Sequence, residues 1–374
     1  MPLPSSPDPI SASQIKNEFG TNNSPRTRIG QYRDATTHGG KKWPFDVDIP
    51  IGTGPNDTTT TIRFSDFRGK QRNIITVIEG GTENRIVAAD KPKAVVGGLK
   101  TSTTKSVRAK SRNIIYIVNK TIGSAKGDRK KCALRTGTSN AWFGSNDSTF
   151  AKVNIELGEG AKIYGAGGDG GDGKGHETDG KPGGDGSSGL GIQVATESIV
   201  IKSGAIIVAG GAGGGGGGGG REDSAKVRKS GGGGGGGGAG LPAGKGGEGG
   251  GGNKGADGDP GSDGTLEDGG GGGNGKDNEN QEEARSGGGG GGGSVNGSDG
   301  QGGQGGNPGE ENGFDGEEGE GGKGGDGNGK DGESNGGGGG EKGYAITSSG
   351  NLAINVTVGS SRVKGSQQQN GGVS

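Results

Sequence analysis

Residues 210–240 read GGAGGGGGGGGREDSAKVRKSGGGGGGGGAG, with two eight-glycine runs, 213–220 and 231–238, on either side of a charged insert. Further runs follow at 249–252, 269–273, 287–293 and 336–340, and the first five begin 18, 18, 20 and 18 residues apart. A featureless linker has no reason to keep such spacing. The pattern points to binding or scaffolding rather than catalysis.

Three states compete for this block: a flexible linker, a collagen triple helix and a bundle of polyproline-II-like polyglycine helices. A linker explains the glycine but not the phase. Glycine recurs every third residue at Gly180, Gly183, Gly186 and Gly189, again from Gly246 to Gly264, and again from Gly313 to Gly325. Three residues per turn is the polyproline-II repeat, and glycine at each third position lets chains approach closely. Collagen shares the phase but needs many more prolines than Pro182, Pro242, Pro260 and Pro308, and has no use for eight glycines in a row. A helix of this kind has no internal hydrogen bonds, so its N–H and C=O groups must pair with neighbouring helices. The expectation is a rigid, polar bundle without an apolar core, with pure glycine runs inside and charged runs outside.

The rest of the composition agrees. Glycine is 102 of 374 residues and the hydrophobic fraction is 23%, too little for a conventional core along the whole chain. Apolar residues concentrate in 51–210 and 343–363. The first 150 residues hold 24 Lys or Arg against 12 Asp or Glu, and the remainder holds 18 against 31. That split suggests different contacts at the two ends, or simply solvated faces of opposite sign. The basic residues are scattered and lack an aromatic stacking set, so nucleic acid is not an expected partner. Cys132 is the only cysteine, which rules out an intrachain disulfide. The N-terminus lacks a signal-peptide core, and no apolar run approaches membrane-spanning length. Synthesis in a cytosol and no membrane insertion are expected.

In chain order, Pro2, Pro4, Pro7 and Pro9 disfavour regular structure before one short helix from Gln14 to Phe19, capped by Ser11 or Ser13 and stopped at Gly20. Strand-like runs follow at 58–64, 73–81, 85–89, 94–98, 113–119 and 152–157. RNIITVIEGG from Arg72 is echoed by RNIIYIVNKT from Arg112, a repeated strand unit. Trp43, Phe45, Phe64, Phe67, Trp142 and Phe143 read as core anchors. Segments 152–168, 192–211 and 343–359 share a β-turn-β plan beside glycine-rich sequence. The alternating Ile346, Leu352, Ile354, Val356 and Val358 need an apolar partner face, so 343–363 is expected to return to strands before 211. The expected fold is therefore mainly β with a coreless polyglycine-II helix bundle and little α. Its expected divisions are an N-terminal arm (1–50), a β-rich domain (51–164), the bundle (165–342, with a β-hairpin at 192–210 belonging to the β-domain) and C-terminal strands with a polar tail (343–374).

ISASQIKNEFG (Ile10 to Gly20) followed by IGQYR (Ile29 to Arg33) resembles a short module of tailed-phage virion proteins. A glycine-rich bundle on such a chain resembles the receptor-binding adhesins at the tail-fibre tips of T-even-like phages. The resemblance implies a virion location, and docking to other tail or fibre proteins through Ile10, Ile15, Phe19 and Tyr32. It also implies a host surface receptor, protein or polysaccharide, touched by distal loops. Fibres commonly assemble as trimers, which leaves a homotrimer open. If helices alternate in direction, loops 174–179, 221–230, 265–268, 294–301 and 328–335 lie at the far end, while 276–286 and 310–312 face the β-domain. The distal set then includes His176, Glu177, Arg221, Glu222, Asp223, Lys226, Val227, Arg228, Lys229, Leu266, Glu267 and Val295.

Chemistry finds little support. GxGxxG recurs in the block without a strand–turn–helix frame, and GGKGGDGNGKDG (321–332) lacks the inward apolar residue of a calcium-binding repeat. His38 and His176 are the only histidines, too few for a histidine metal cluster or repeated general bases. No catalytic residue, cofactor or metal is expected. A virion adhesin leads. The alternatives are a structural fibre, collar or baseplate component with the bundle as spacer, and a non-viral glycine-rich surface or ice-binding protein.

Overall fold

Where β-branched residues alternate with polar ones, the chain forms strands with one face inward. In Thr196–Ile201, Ile199 and Ile201 are fully buried while Glu197 is exposed. The computed structural model describes residues 3–19, 36–38, 41–43, 61–69, 73–79, 85–96, 104–105, 112–118, 120–144, 153–175, 178–218, 220–222, 228–251, 257–275, 291–292, 303–304 and 336–374. Among these the protein is mainly β.

The strands up to the first glycine segment are β1 (Thr36–His38), β2 (Lys41–Trp43), β3 (Asn73–Glu79), β4 (Ile86–Val87), β5 (Lys93–Val96), β6 (Arg112–Val118), β7 (Thr121–Ile122), β8 (Cys132–Arg135), β9 (Val153–Leu157) and β10 (Lys162–Tyr164). Then come β11 (Ser188–Ile192), β12 (Thr196–Ile201), β13 (Ile206–Val208), β14 (Gly220–Glu222), β15 (Arg228–Ser230), β16 (Gly291–Gly292) and β17 (Gly303–Gln304). The last are β18 (Ile346–Ser348), β19 (Val356–Val358), β20 (Val363–Lys364) and β21 (Gln367–Gln368). Helix α1 is Ala12–Phe19 and α2 is Ser139–Phe143.

Most strands belong to a three-sided parallel β-solenoid. Its sheets have the orders β19-β12-β9-β6-β3-β5, β20-β13-β10-β7 and β21-β18-β11-β8-β4. From β6 onward each turn of the chain visits them in that order; before it β4 follows β3 directly among the described strands, and only β5 joins antiparallel, at the edge beside β3. Identical rungs stack apolar residues through the centre. Ile122, Ile163, Ile207 and Val363 are aligned on one side, and Ile86, Leu134, Leu190 and Ile346 on another. Ile155 and Ile199, with Leu157 and Ile201, fill the third, and all of these side chains are buried in one cluster. The corner after β9 turns at Gly160 (φ 72°) and the corner after β12 at Gly204 (φ 70°), left-handed positions that a Cβ would strain. Gly160 N–H donates to the Ser203 carbonyl at 3.2 Å, tying one corner to the next.

The expected hairpin at 192–210 is not formed. β12 and β13 lie on different sheets, and each pairs with the strand one turn earlier or later rather than with the other. The same holds for β9 with β10 and for β18 with β19. Alternating apolar residues around a glycine turn suit a hairpin and a solenoid corner equally, so spacing could not separate them. The echo at Arg72 and Arg112 becomes adjacent parallel strands, β3 and β6. Their pairing, Asn73 with Arg112 through Glu79 with Val118, is one residue out of step with the sequence match.

Among the expected core anchors, Trp142 and Phe143 of α2 are buried, and Trp142 Nε1 donates to the Thr136 carbonyl at 2.9 Å. Phe67 is buried away from the solenoid core with Leu3, Ile15 and Phe19, while Phe64, 47% exposed, is not a core anchor. The Trp43 and Phe45 side chains lie outside the described residues. Helix α1 begins two residues earlier than expected because Ser11, of the two candidate caps, is the one used: Ser11 Oγ accepts from Gln14 N–H at 3.2 Å and Gln14 Oε1 accepts from Ser11 N–H at 2.7 Å.

Replacing the fully buried Ile163 with alanine leaves a void between Ile122 and Ile207. It should lower unfolding stability by about 2–5 kcal/mol in a denaturant titration.

Candidate functional site

The connection from the second sheet to the third carries the glycine. It spans 123–131, 165–187, 209–345 and 365–366 on successive turns. Residues 165–175 leave the solenoid after β10 and run beside 209–218, which leave after β13. N–H groups of Gly165, Gly168, Gly171 and Lys174 donate to the carbonyls of Val208, Gly211, Gly214 and Gly217. Every third residue therefore faces the same neighbour. Gly167, Gly170 and Gly173 turn to another segment, donating to Pro242, Lys245 and Glu248. These bonds are 2.7 to 2.9 Å long.

Segment directions follow from the pairing. Residues 231–240 run back toward the solenoid, with Gly232, Gly235 and Gly238 donating to Lys174, Gly171 and Gly168. The turn at Leu241 touches the solenoid corner, where Ser124 N–H donates to the Leu241 carbonyl at 2.9 Å. Residues 242–251 run outward, 257–265 back and 268–275 outward again, each bonded at every third residue to the segments beside it. Residues 336–343 return into β18, with Gly337, Gly340 and Gly343 donating to Gly216, Gly213 and Gly210. The all-glycine run in 231–240 is enclosed by 165–175, 209–218, 242–251, 257–265 and 268–275. Enclosure explains the composition: a Cβ on Gly235 would sit 2.1 Å from the Gly214 carbonyl oxygen.

Aspartates take over where a segment lacks a neighbour. Asp169 Oδ1 accepts from Lys245 N–H (2.7 Å), Asp263 Oδ1 from Gly246 N–H (2.8 Å) and Asp185 Oδ1 from Glu341 N–H (2.9 Å). Asp172 Oδ1 accepts from Glu248 N–H at 3.2 Å while its Oδ2 meets Lys181 Nζ at 2.6 Å. The Lys181 ammonium holds the Asp172 carboxyl below the usual carboxylate range, against the opposing effect of burial and with help from the Glu248 amide. Solenoid residues clamp the base of the bundle. Lys126 Nζ lies 2.6 Å from Asp169 Oδ1, and Arg129 pairs with Glu341 while its Cζ stacks 4.5 Å from the Tyr344 ring centroid.

The far end therefore collects 174–175, 217–218, the ribbon β14–β15, 250–251, 257–258 and 274–275. Of the expected contact residues, Arg221, Glu222, Arg228 and Lys229 stand there, on that ribbon. Leu266 and Glu267 do not. They form the turn at 265–268, closed by Thr265 N–H to the Asp268 carbonyl, beside Gly240 and the solenoid. Burial and then the Glu267 charge raise the pKa of Tyr164, the last residue of β10. The parity reading failed because glycine phase runs unbroken from Gly246 to Gly264, and the chain reverses between Gly251 and Asp257 without losing it. By the same shift 268–275 runs outward, so Gly275 lies at the far end, whereas 276–286 were expected to face the solenoid. His176, Glu177, Asp223, Lys226, Val227, Val295 and Tyr32 lie outside the described residues, as do 276–286 and 310–312. Ile15 and Phe19, expected to dock a virion partner, are buried in the chain's own cluster with Ile10 packed against it. The turn at Gly240–Pro242 was missed, although Leu-Pro after a glycine run is a turn signal.

Among the described residues, no helix is long and apolar enough to cross a membrane, and no group of His, Cys, Asp or Glu could hold a metal.

Gly235→Ala should disrupt the bundle, whereas Gly271→Ala, with nothing within 4 Å of the added Cβ, should leave it intact; amide hydrogen exchange across 231–275 reads both. The depressed Asp172 pKa contributes stability that is complete above the ordinary carboxylate value of about 3.9 and is lost as pH falls through the lower folded value. The thermal midpoint of the bundle should therefore fall in acid, and less so in Asp172→Asn, which keeps an acceptor for Glu248 N–H.

No family model and no curated sequence matches the chain. Among solved structures it is similar to the gp37-gp38 adhesin tip complex of the bacteriophage S16 long tail fibre, at 18% identity and a TM-score of 0.30, over 83% of this chain and 88% of that one.

Proposed function

We propose that the chain is a non-enzymatic adhesin of a phage tail fibre or tail tip. A polyglycine-II bundle carries its recognition segments, and the β-solenoid is the mount. The observation that carries this reading is the repeated out-and-back course of the glycine segments. Among the described residues it brings sequence-distant segment ends together at one end and sends short turns, at 240–242 and 265–268, to the other. A ten-residue segment at about 3.1 Å rise holds those ends about 30 Å from the solenoid. Bonding to several neighbours at every third residue gives the stiffness a reaching contact needs. The mixed charge of the sequences that join those ends suits a polar cell-surface receptor, protein or polysaccharide.

Within this reading the N-terminal module docks to another tail or fibre protein, and the chain resides in the virion. Docking uses surfaces other than Ile15 and Phe19, which the chain itself covers. Replacing 221–229 with a Gly/Ser sequence of equal length should cut host adsorption of virions carrying the variant by at least tenfold, with thermal stability retained. Unchanged adsorption after that swap, and after the same swap of 294–300, would favour a spacer role and defeat the adhesin reading.

A further inference from the structure

Beyond β21 the chain turns back over the third sheet and crosses its strands one after another. The turn uses two left-handed positions, Asn370 (φ 60°) and Gly372 (φ 83°). From there the contacts follow the strand order β21-β18-β11-β8-β4. At β18, Thr347 Oγ1 donates to the Gly372 carbonyl at 3.2 Å. At β11, Val373 fills the space that a side chain on Gly191 would need, since a Cβ there would sit 2.5 Å from Val373 Cγ1. Just before β8, Ser374 N–H donates to the Lys130 carbonyl at 2.8 Å. Just before β4, Arg85 Nη2 donates to the Ser374 carbonyl at 3.2 Å. Cys132 lies beneath this crossing. It is fully buried but belongs to neither apolar cluster, and the same Cβ on Gly191 would lie 2.8 Å from its Sγ. Burial pushes its thiol up to about 12, against the charges of Arg135 and Arg85.

In a stack of this kind each turn is held by the turns beside it, so opening begins at an end. The last turn, β19 to β21, is paired on one side only among the described residues, and Val358 of β19 is 52% exposed. This weakly supported turn stands beside the place where the bundle returns. Residues 336–343 pass into β18, and Gly371 packs so close to Tyr344 that a Cβ would lie 3.0 Å from the ring Cε2. Tyr344 in turn carries the Arg129 guanidinium that pairs with Glu341. We infer that residues 369–374 are a latch that holds the last turn of the solenoid, and with it the returning end of the bundle, closed against the earlier turns. Without the latch, β21 peels from β18 by breaking one row of pairing. With it, the same movement must also pull Val373 from Gly191 and break the bonds to Lys130 and Arg85, three and four strands away. The end of the stack is thereby tied to turns that nearest-neighbour pairing does not reach. This role is independent of the adhesin reading.

The test uses the full-length protein with Thr347→Val and Val373→Gly together, which remove the hydroxyl bond to Gly372 and the plug over Gly191. Two rates are read under native conditions: amide hydrogen exchange, and modification of Cys132, the only cysteine, by a small methanethiosulfonate. Exchange at 345–348 and 363–368 should speed by at least tenfold while 153–164 keeps its rate, and modification of Cys132 should also speed by at least tenfold. Val373→Ala, which only shortens the plug and is small enough to leave folding intact, should move both rates the same way by a smaller factor. Faster thiol modification with unchanged exchange makes the segment a passive cover. Unchanged rates for both make it idle, and equal acceleration at 153–164 makes the effect global. Each of these three results overturns the latch.

Discussion

A glycine segment in an extended three-residue repeat cannot bond to itself. Every N–H and C=O must find a partner on another segment, and the rest of the molecule follows from that demand. Segments must lie close enough for bonds of 2.7 to 3.0 Å in more than one direction, which leaves no room for a Cβ between them. Glycine also loses more freedom on ordering than any other residue. The arrangement holds only as a set, with enclosed runs, carboxylate-capped edges and anchored ends supporting one another. The aspartates at 169, 172, 185 and 263 are part of that closure, because each supplies an acceptor where a neighbouring segment is missing.

The solenoid supplies what the bundle lacks. Its interior is a conventional apolar stack, and its rungs fix the positions and directions of the chain ends that enter the bundle. β10 and β13 lie side by side, so 165–175 and 209–218 emerge already aligned and already in hydrogen-bonding phase. The return is aligned in the same way: Gly186 donates to Glu341, Gly189 to Tyr344 and Leu190 to Ala345, passing without a break into the pairing of β11 with β18. Bundle and sheet are continuous hydrogen-bond systems that differ in how many directions they bond.

Much of this was legible in the residues. Spacing and phase of the glycines marked an ordered block, and the apolar alternation in 343–363 marked strands needing a partner before 211. What stayed hidden was topology. Ile199, Ile201 and Ile207 look the same in a hairpin and in two walls of a solenoid, since periodicity reports burial and not the identity of the neighbouring strand. The reversal between Gly251 and Asp257 was hidden for a related reason: glycine phase is set by lateral packing and is blind to chain direction. That one missed reversal moved Leu266 and Glu267 to the wrong end. The burial of Ile15 and Phe19 was beyond reach because their partner, Phe67, lies far along the chain.

The corner between the second and third sheets is closed in different ways on successive turns. Residues 123–131 and 165–187 close two of them, the whole of 209–345 closes the next, and Gly365–Ser366 alone closes the last. The flanking rungs keep the same pairing in each case. The solenoid thus treats that corner as a port indifferent to its load, where sequence can be lengthened, shortened or exchanged by recombination without disturbing the strands that hold it. A lineage carrying such a port can change what it presents to the outside while inheriting its foundation unaltered.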